Sequence, residues 1–496
     1  MAIWTNPEWI RHVRGLLRPS RAITAVVLPL VLCAVTYSVF ARQHSGEGLY
    51  LTFFSLLLVS QFVALGLWCL YSCGQALVYE RIFQTFDFWR TTRLTASELI
   101  WGMLCGAPLL GYVAIGTTIP IGIISGIAAG YHPMRIVSAY LFLALLVLFL
   151  SLVALLSSML ASKLQMGFGL AVVPLLVVSL LTGLRSGPLP GLASINPTYV
   201  LAELLGDSRA VGAVDVVLFG FPVSWVVAAG ILYTTLGAWA FVMLLRNIKK
   251  EREDIQLLSR LQLVGFAIYC NVVLYAYLDV RAQYPGTIMT LVLLLNVVIL
   301  YVIGMMALTP PERLREWWRS TRGRPWAIFA EDGMSWPWVA MVAVVAILLY
   351  GLANIAFLGD AGSGAEGTKR VAMSLVIVAL FAVRDSLFLQ WCQFHRFRQP
   401  LVAGGLYIGL YYLVVWTLPK PEQDHVYLTP FWSMANDQVE FTVRAEPPCP
   451  GDCDSRPRLC HSFPIKRKID WPSCRVVLGA RFLQDGELSA AHVSML

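Results

Sequence analysis

The chain has 496 residues, of which 58% are hydrophobic and only 13% charged, about half the charge of an ordinary soluble protein. A soluble fold cannot hide that much apolar surface, and several runs reach the roughly 18 apolar residues that bilayer spanning requires. The composition points to an all-α polytopic membrane protein and weighs against secreted, nuclear and disordered readings. A formal charge of +8 would suit nucleic acid, but the basic residues stand in short loops beside apolar runs. The positive-inside rule accounts for them there, and no nucleic-acid partner is expected.

The first element is short and amphipathic. In residues 6–19, Trp9, Val13, Leu16 and Leu17 fall near one helical face and Arg11, Arg14 and Arg18 line much of the other. Residues 1–21 are therefore expected to form an elbow lying in the membrane interface, in contact with lipid and positioned to meet a cytoplasmic partner. No small-residue cleavage site follows the first apolar run, so a removed signal peptide is not expected.

The apolar runs predict about eleven spans, at roughly 22–40, 50–73, 104–128, 136–160, 166–183, 213–244, 260–280, 287–308, 336–358, 370–388 and 401–418. Glycine and proline within them are tolerated in a bundle whose neighbours re-satisfy the backbone. The stretch 213–244 is too long for one straight perpendicular helix and contains Pro222, which leaves a tilt, a kink or a preceding re-entrant turn open. The polar segment 246–259 reads as a linker between a membrane region at 22–245 and a further five-helix region at 260–418. With the N-terminus in the cytoplasm, 21 basic residues fall on inner loops and 7 on outer ones. That bias sets the expected orientation, with an odd number of spans placing the tail outside.

Residues 79–102 form the first substantial inner loop. Glu80 and Arg81 open it, Phe83, Phe86, Phe88 and Trp89 are numerous for a solvated segment, and Thr95 or Ser97 is placed to cap a short helix carrying Glu98. An amphipathic helix between lipid and a docked protein accounts for the aromatics, and a purely interfacial helix does so as well.

At this loop the sequence resembles the membrane subunits of ABC-2 type transporters. Their first inner loop reads Glu-Arg-Glu, Gly-Thr, Thr-Pro-Leu, then Glu followed by Gly-Lys. Glu80 and Arg81 match the opening, Thr85 the first Thr, Thr92 and Leu94 the outer members of Thr-Pro-Leu, and Glu98 and Gly102 the last pair. Ile82, Gln84, Arg93 and Met103 depart from the pattern. The resemblance covers residues 1–245. It implies a six-helix core, a loop that docks on a cytoplasmic ATPase subunit, and an interfacial elbow formed here by Arg11, Arg14 and Arg18. It also implies ATP and Mg bound by that partner rather than by this chain, and a second copy or a homologous permease alongside. The implied function is export of a lipid-like, hydrophobic or peptidic substrate across the plasma membrane.

Other chemistry is sparse. No GxxxxGK[ST] loop and no HExxH motif occur, so neither ATP hydrolysis nor a zinc peptidase is expected of the chain itself. Charges are almost absent from the apolar cores, which argues against an ion-coupled carrier. Gln61 and Gln165 read as helix–helix hydrogen bonds. His395 reads as part of an inner polar cluster, and the stretch 311–325, with Trp317 and Trp318 among arginines, as a headgroup contact. In the tail, 419–496, Cys449, Cys453, Cys460 and Cys474 allow three disulfide pairings or none. The rival reading is a polytopic scaffold or membrane-embedded enzyme with no ATPase partner.

Overall fold

The structure is a computed structural model, and it describes residues 6–43, 46–86, 91, 93–161, 196–206, 216–219, 221–250, 255–277, 285–309, 311–320, 333–357, 365–394, 404 and 406–411. Thr92, Phe88, Trp89, the expected span 166–183 with Gln165, His395, the tail cysteines and most of the expected span 401–418 lie outside the described residues. All described residues belong to one unit, Met1–Gln438.

Helix α1 (Pro7–Leu16) begins where the Asn6 side chain caps the Glu8 N–H at 3.0 Å and Pro7 supplies a preset φ. After it come α2 (Pro19–Gln43) and α3 (Glu47–Ile82). The 36 residues of α3 measure about 54 Å at 1.5 Å per residue, well past a hydrocarbon core of about 30 Å. The expected loop at 79–102 is correspondingly smaller, because its first residues finish α3 and its last ones begin α4 (Ala96–Gly106).

The expected span 104–128 is likewise divided, between α4 and α5 (Leu109–Ala128). Pro108 has no N–H to offer the Leu104 carbonyl, and the Tyr112 hydroxyl donates to that oxygen instead at 3.1 Å. Then follow α6 (Pro133–Leu160) and α7 (Pro197–Leu205). The long stretch at 213–244 resolves into a turn: β1 (Val216–Leu218) pairs antiparallel with β2 (Phe221–Val223), and Ser224 caps α8 (Trp225–Asn247). This hairpin is a small exception to the all-α expectation. The remaining helices are α9 (Arg260–Ala276), α10 (Pro285–Met306), α11 (Pro311–Ser320), α12 (Trp336–Phe357) and α13 (Ala365–Phe394).

Among the described residues, five helices (α2, α3, α5, α6 and α8) are long and apolar enough to cross a membrane, and shorter apolar helices run over Arg260–Ala276, Leu295–Met306 and Trp336–Leu349. The chain is a multi-pass helical membrane protein. Helix α6 is the centre of its first region, burying Phe142, Leu146, Leu155 and Met159 against α3 and α8. The few polar groups inside are shared between helices: Gln61 of α3 donates to Thr118 of α5 at 2.8 Å, and Ser158 of α6 accepts from the Leu77 N–H at 3.0 Å.

Contacts at helix ends show that the helices alternate in direction. Arg81 donates to the Met159 carbonyl at 2.7 Å, so α3 and α6 finish at the same end as α1. At the opposite end, Tyr131 donates to Leu205 at 2.6 Å and the Phe219 N–H to the Ala276 carbonyl at 3.2 Å. The chain thus leaves α6 at the α1 end and reaches α7 at the opposite one. In the second region α9 packs on α12, and α10 and α12 on α13. Arg260, buried at the start of α9, donates to the Ala307 carbonyl, to Thr309 Oγ1 at 2.6 Å and to the Gly333 carbonyl at 3.3 Å, tying α10 to the segment before α12. Asp385 in α13 is a buried charge that composition did not single out; Arg384 pairs with it at 2.7 Å and Tyr301 donates to it.

Candidate functional site

The site lies where α1, the end of α3, the start of α4 and the end of α8 meet. Helix α1 rests on α4. The face it buries is not the apolar stripe that periodicity selects. Trp9, Val13, Leu16 and Leu17 are half-buried, whereas Asn6 and Glu8 are 4% and 3% exposed.

Two glycines one turn apart explain this. A Cβ on Gly102 would stand 2.7 Å from the Glu8 Cβ, and one on Gly106 would stand 2.6 Å from the His12 ring. Both glycines are needed for α1 to approach the α4 backbone so closely, the packing that small residues at a four-residue spacing permit. Gly102 was selected from the sequence and Gly106 was not, although the spacing was there to read. Asn6 Nδ2 completes the contact by donating to the Glu98 carbonyl at 2.6 Å.

Charge then links α1 to α3. The Arg11 guanidinium reaches Glu8 and Glu80, each at 2.6 Å, and His12 Nε2 lies 3.1 Å from Glu8. The His12 nitrogen is near Glu8 without the alignment of a hydrogen bond. Burial pushes the Glu8 carboxyl up, but His12 and Arg11 outweigh it and hold the group below its ordinary value. Burial likewise lowers Arg11, and Glu80 and Glu8 more than compensate, leaving it raised.

The loop between α3 and α4 is fastened at both ends. Thr85 donates through its N–H to the Glu80 carbonyl at 3.0 Å and through its hydroxyl to the same oxygen at 3.1 Å. Gln84 takes a φ of +57°, a left-handed conformation that favours glycine. It occupies the position at which the ABC-2 pattern carries glycine. Arg81 stands over the Phe86 ring at 5.0 Å. Phe86 is 7% exposed and joins the hydrophobic core, while Phe83 is 69% exposed.

At the other end Thr95 and Glu98 form a capping box. The Glu98 N–H donates to Thr95 Oγ1 at 3.3 Å and the Thr95 N–H to Glu98 Oε2 at 2.9 Å. The Thr95 backbone bond, reinforced by its hydroxyl, holds the Glu98 carboxyl below its ordinary value. Lys249, just past α8, donates to the Leu94 carbonyl.

Glu80, Arg81, Thr85, Phe86, Leu94, Glu98 and Gly102 therefore gather in one junction with Arg11. Arg14 and Arg18 are exposed on the outside of it and take no part in the contacts. The junction ties the described ends of the loop, 83–86 and 93–95, to α1, α3, α4 and α8. Comparison with known proteins gave no match to a family model, to a curated protein or to a solved structure.

Proposed function

We propose that this chain is the permease subunit of an ATP-driven exporter of ABC-2 type. In this reading a separate cytoplasmic ATPase, holding ATP and Mg, docks on the segment 83–95 and on the outer face of α1. Closure of the ATPase pushes that segment, and the junction passes the motion into the first six spans of about eleven. The N-terminus and the α1 end face the cytoplasm, the host membrane is the plasma membrane, and a largely apolar translocation surface suits a lipid-like, hydrophobic or peptidic substrate.

The observation that carries the reading is the clamp of α1 on α4 together with the Arg11–Glu80 pair, since a force-receiving loop needs rigid attachment to several spans. Two features support it. Gln84 adopts a glycine conformation where the ABC-2 pattern has glycine. In addition, Arg11, Arg14, Arg18, Arg81 and Lys249 belong to the α1 end, as the positive-inside rule expects of a cytoplasmic face.

The test is to co-express the chain with ATPase subunits encoded beside it, purify in lipid, and measure co-elution and ATP turnover. Phe83→Ala and Arg14→Glu alter exposed positions outside the clamp and are expected to weaken the complex and uncouple turnover while the permease stays folded. Failure of the folded wild-type chain to bind any such ATPase would overturn the reading and favour the scaffold or membrane-enzyme alternative.

A further inference from the structure

Helix α2 is the least buried of the five candidate spans. It packs mainly on α5, and the two do not meet flush. A cavity of about 460 Å³ lies between them, within the range of about 300–1,000 Å³ typical of small-molecule sites. Its walls are apolar, formed by Ala25 and Leu28 of α2 and by Leu110 and Ala114 of α5, with Trp68 of α3 also lining it. Its polar rim is at the α1 end, where Ser20, Arg21 and Thr24 line it. From Ser20 to Pro29 the cavity follows α2 for about 14 Å at 1.5 Å per residue, the depth of one leaflet of a hydrocarbon core of about 30 Å.

Arg21 puts a positive charge on the rim, and Arg18 and Arg14 precede it in the chain by three and seven residues. Arg14, Arg18 and Arg21 are exposed, and none has an ion-pair partner among the described residues. The first turn of α2 contains no acidic residue. Farther along the same helix, a second cavity of about 370 Å³ is lined by Leu30, Tyr37, Tyr50 and Ile124 and has no cation on its wall.

The geometry points to a binding site for one anionic phospholipid between α2 and α5, its phosphate on Arg18 and Arg21 and an acyl chain in the groove. A lipid of the adjacent leaflet has the depth, the apolar tail and the negative head that this site lacks. The bound chain fills the gap that direct packing leaves beneath α2. The second cavity serves as an internal comparison: it has similar walls without the cationic rim and selects no headgroup charge. The inference does not depend on the permease reading.

The test is native mass spectrometry of the purified full chain, titrated with phosphatidylglycerol or phosphatidylcholine of identical acyl chains. The wild type is expected to retain one phosphatidylglycerol at least about tenfold more tightly than phosphatidylcholine. The paired change Arg18→Gln and Arg21→Gln is expected to abolish that preference. Ala114→Phe fills the groove and is expected to abolish it with the arginines intact; Ala25→Phe does the same from the opposite wall should the first variant fail to fold. Glycerol 3-phosphate, which offers the headgroup without the chain, is expected not to compete. Equal retention of the two lipids, loss in the arginine variant alone, or displacement by glycerol 3-phosphate would each overturn the proposal.

Discussion

Helices α1 and α11 are the same length, both open with Pro-Glu, both are strongly amphipathic, and both belong to the same end of the molecule. They are attached by different physics. Helix α11 buries the apolar side chains Leu314 and Trp317, which are 1% and 8% exposed. Helix α1 buries Asn6 and Glu8 over two glycines, and its half-buried apolar stripe is not the face it docks with. A contact built from directional hydrogen bonds and one shared guanidinium holds a single geometry, and that geometry depends on charge. The difference makes the seating of α1 the more sensitive of the two to single substitutions.

The largest expected effect comes from Arg11→Met. Arg11 is half-exposed but Glu8 is buried, so the change leaves the Glu8 carboxylate inside with only His12 beside it; a buried acceptor deprived of its donor costs up to about 3 kcal/mol, at most roughly a hundredfold loss of hydrogen-exchange protection in α1. The matching change on α11, Arg315→Met at an exposed position, is expected to stay within about 0.5 kcal/mol. Equal effects on both helices would erase the distinction. The same link sets the sign of the pH response. The Glu8 carboxyl is held below its ordinary value of 4.5, so its contribution is full above that pH and is lost as pH falls through the lowered value. A fluorine label introduced at Arg14→Cys should therefore report release of α1 in acid, while a label at Arg315→Cys on α11 should not move.

A smaller effect is expected of Gly102→Ala. The added Cβ meets the root of the Glu8 side chain rather than a flexible tip, an overpacking that costs about 2 kcal/mol. Gly116→Ala in α5 faces open space and is expected to be neutral or slightly stabilising. Thermal unfolding of the two variants in one detergent measures the contrast. The smallest effect is a gain: Gln84→Gly removes a left-handed residue with a side chain, worth about 1 kcal/mol. It is expected to raise protection in the segment 83–86 without altering α1. Destabilisation by Gln84→Gly would mean that the Gln84 side chain holds the turn.

Much of this junction was legible in the chain before any folding. A cap at Thr95 or Ser97 was readable from local spacing, and the structure uses Thr95, which closes a capping box with Glu98 within four residues. Amphipathicity of α1 was equally plain, but the choice of buried face was not, because periodicity ranks faces by hydrophobicity and cannot see two glycines about ninety residues away. Phe86 is a similar case. An aromatic in a polar loop reads as a ridge for a partner, whereas the structure buries Phe86 in the core with Arg81 over its ring.

The sequence by itself determined that the protein is helical and crosses a membrane repeatedly, since apolar runs and their flanking charges are one-dimensional properties set against a bilayer of fixed thickness. It also determined where caps and amphipathic segments begin, because their bonds close within a turn. Tertiary structure alone decided the length of α3, the break at Pro108, the hairpin before α8 and the meeting of Arg11 with Glu80, 69 residues apart. Those features depend on which helices become neighbours. A helix end is extended, broken or paired according to the donor, acceptor or space that a distant segment brings to it, and no local period encodes that choice.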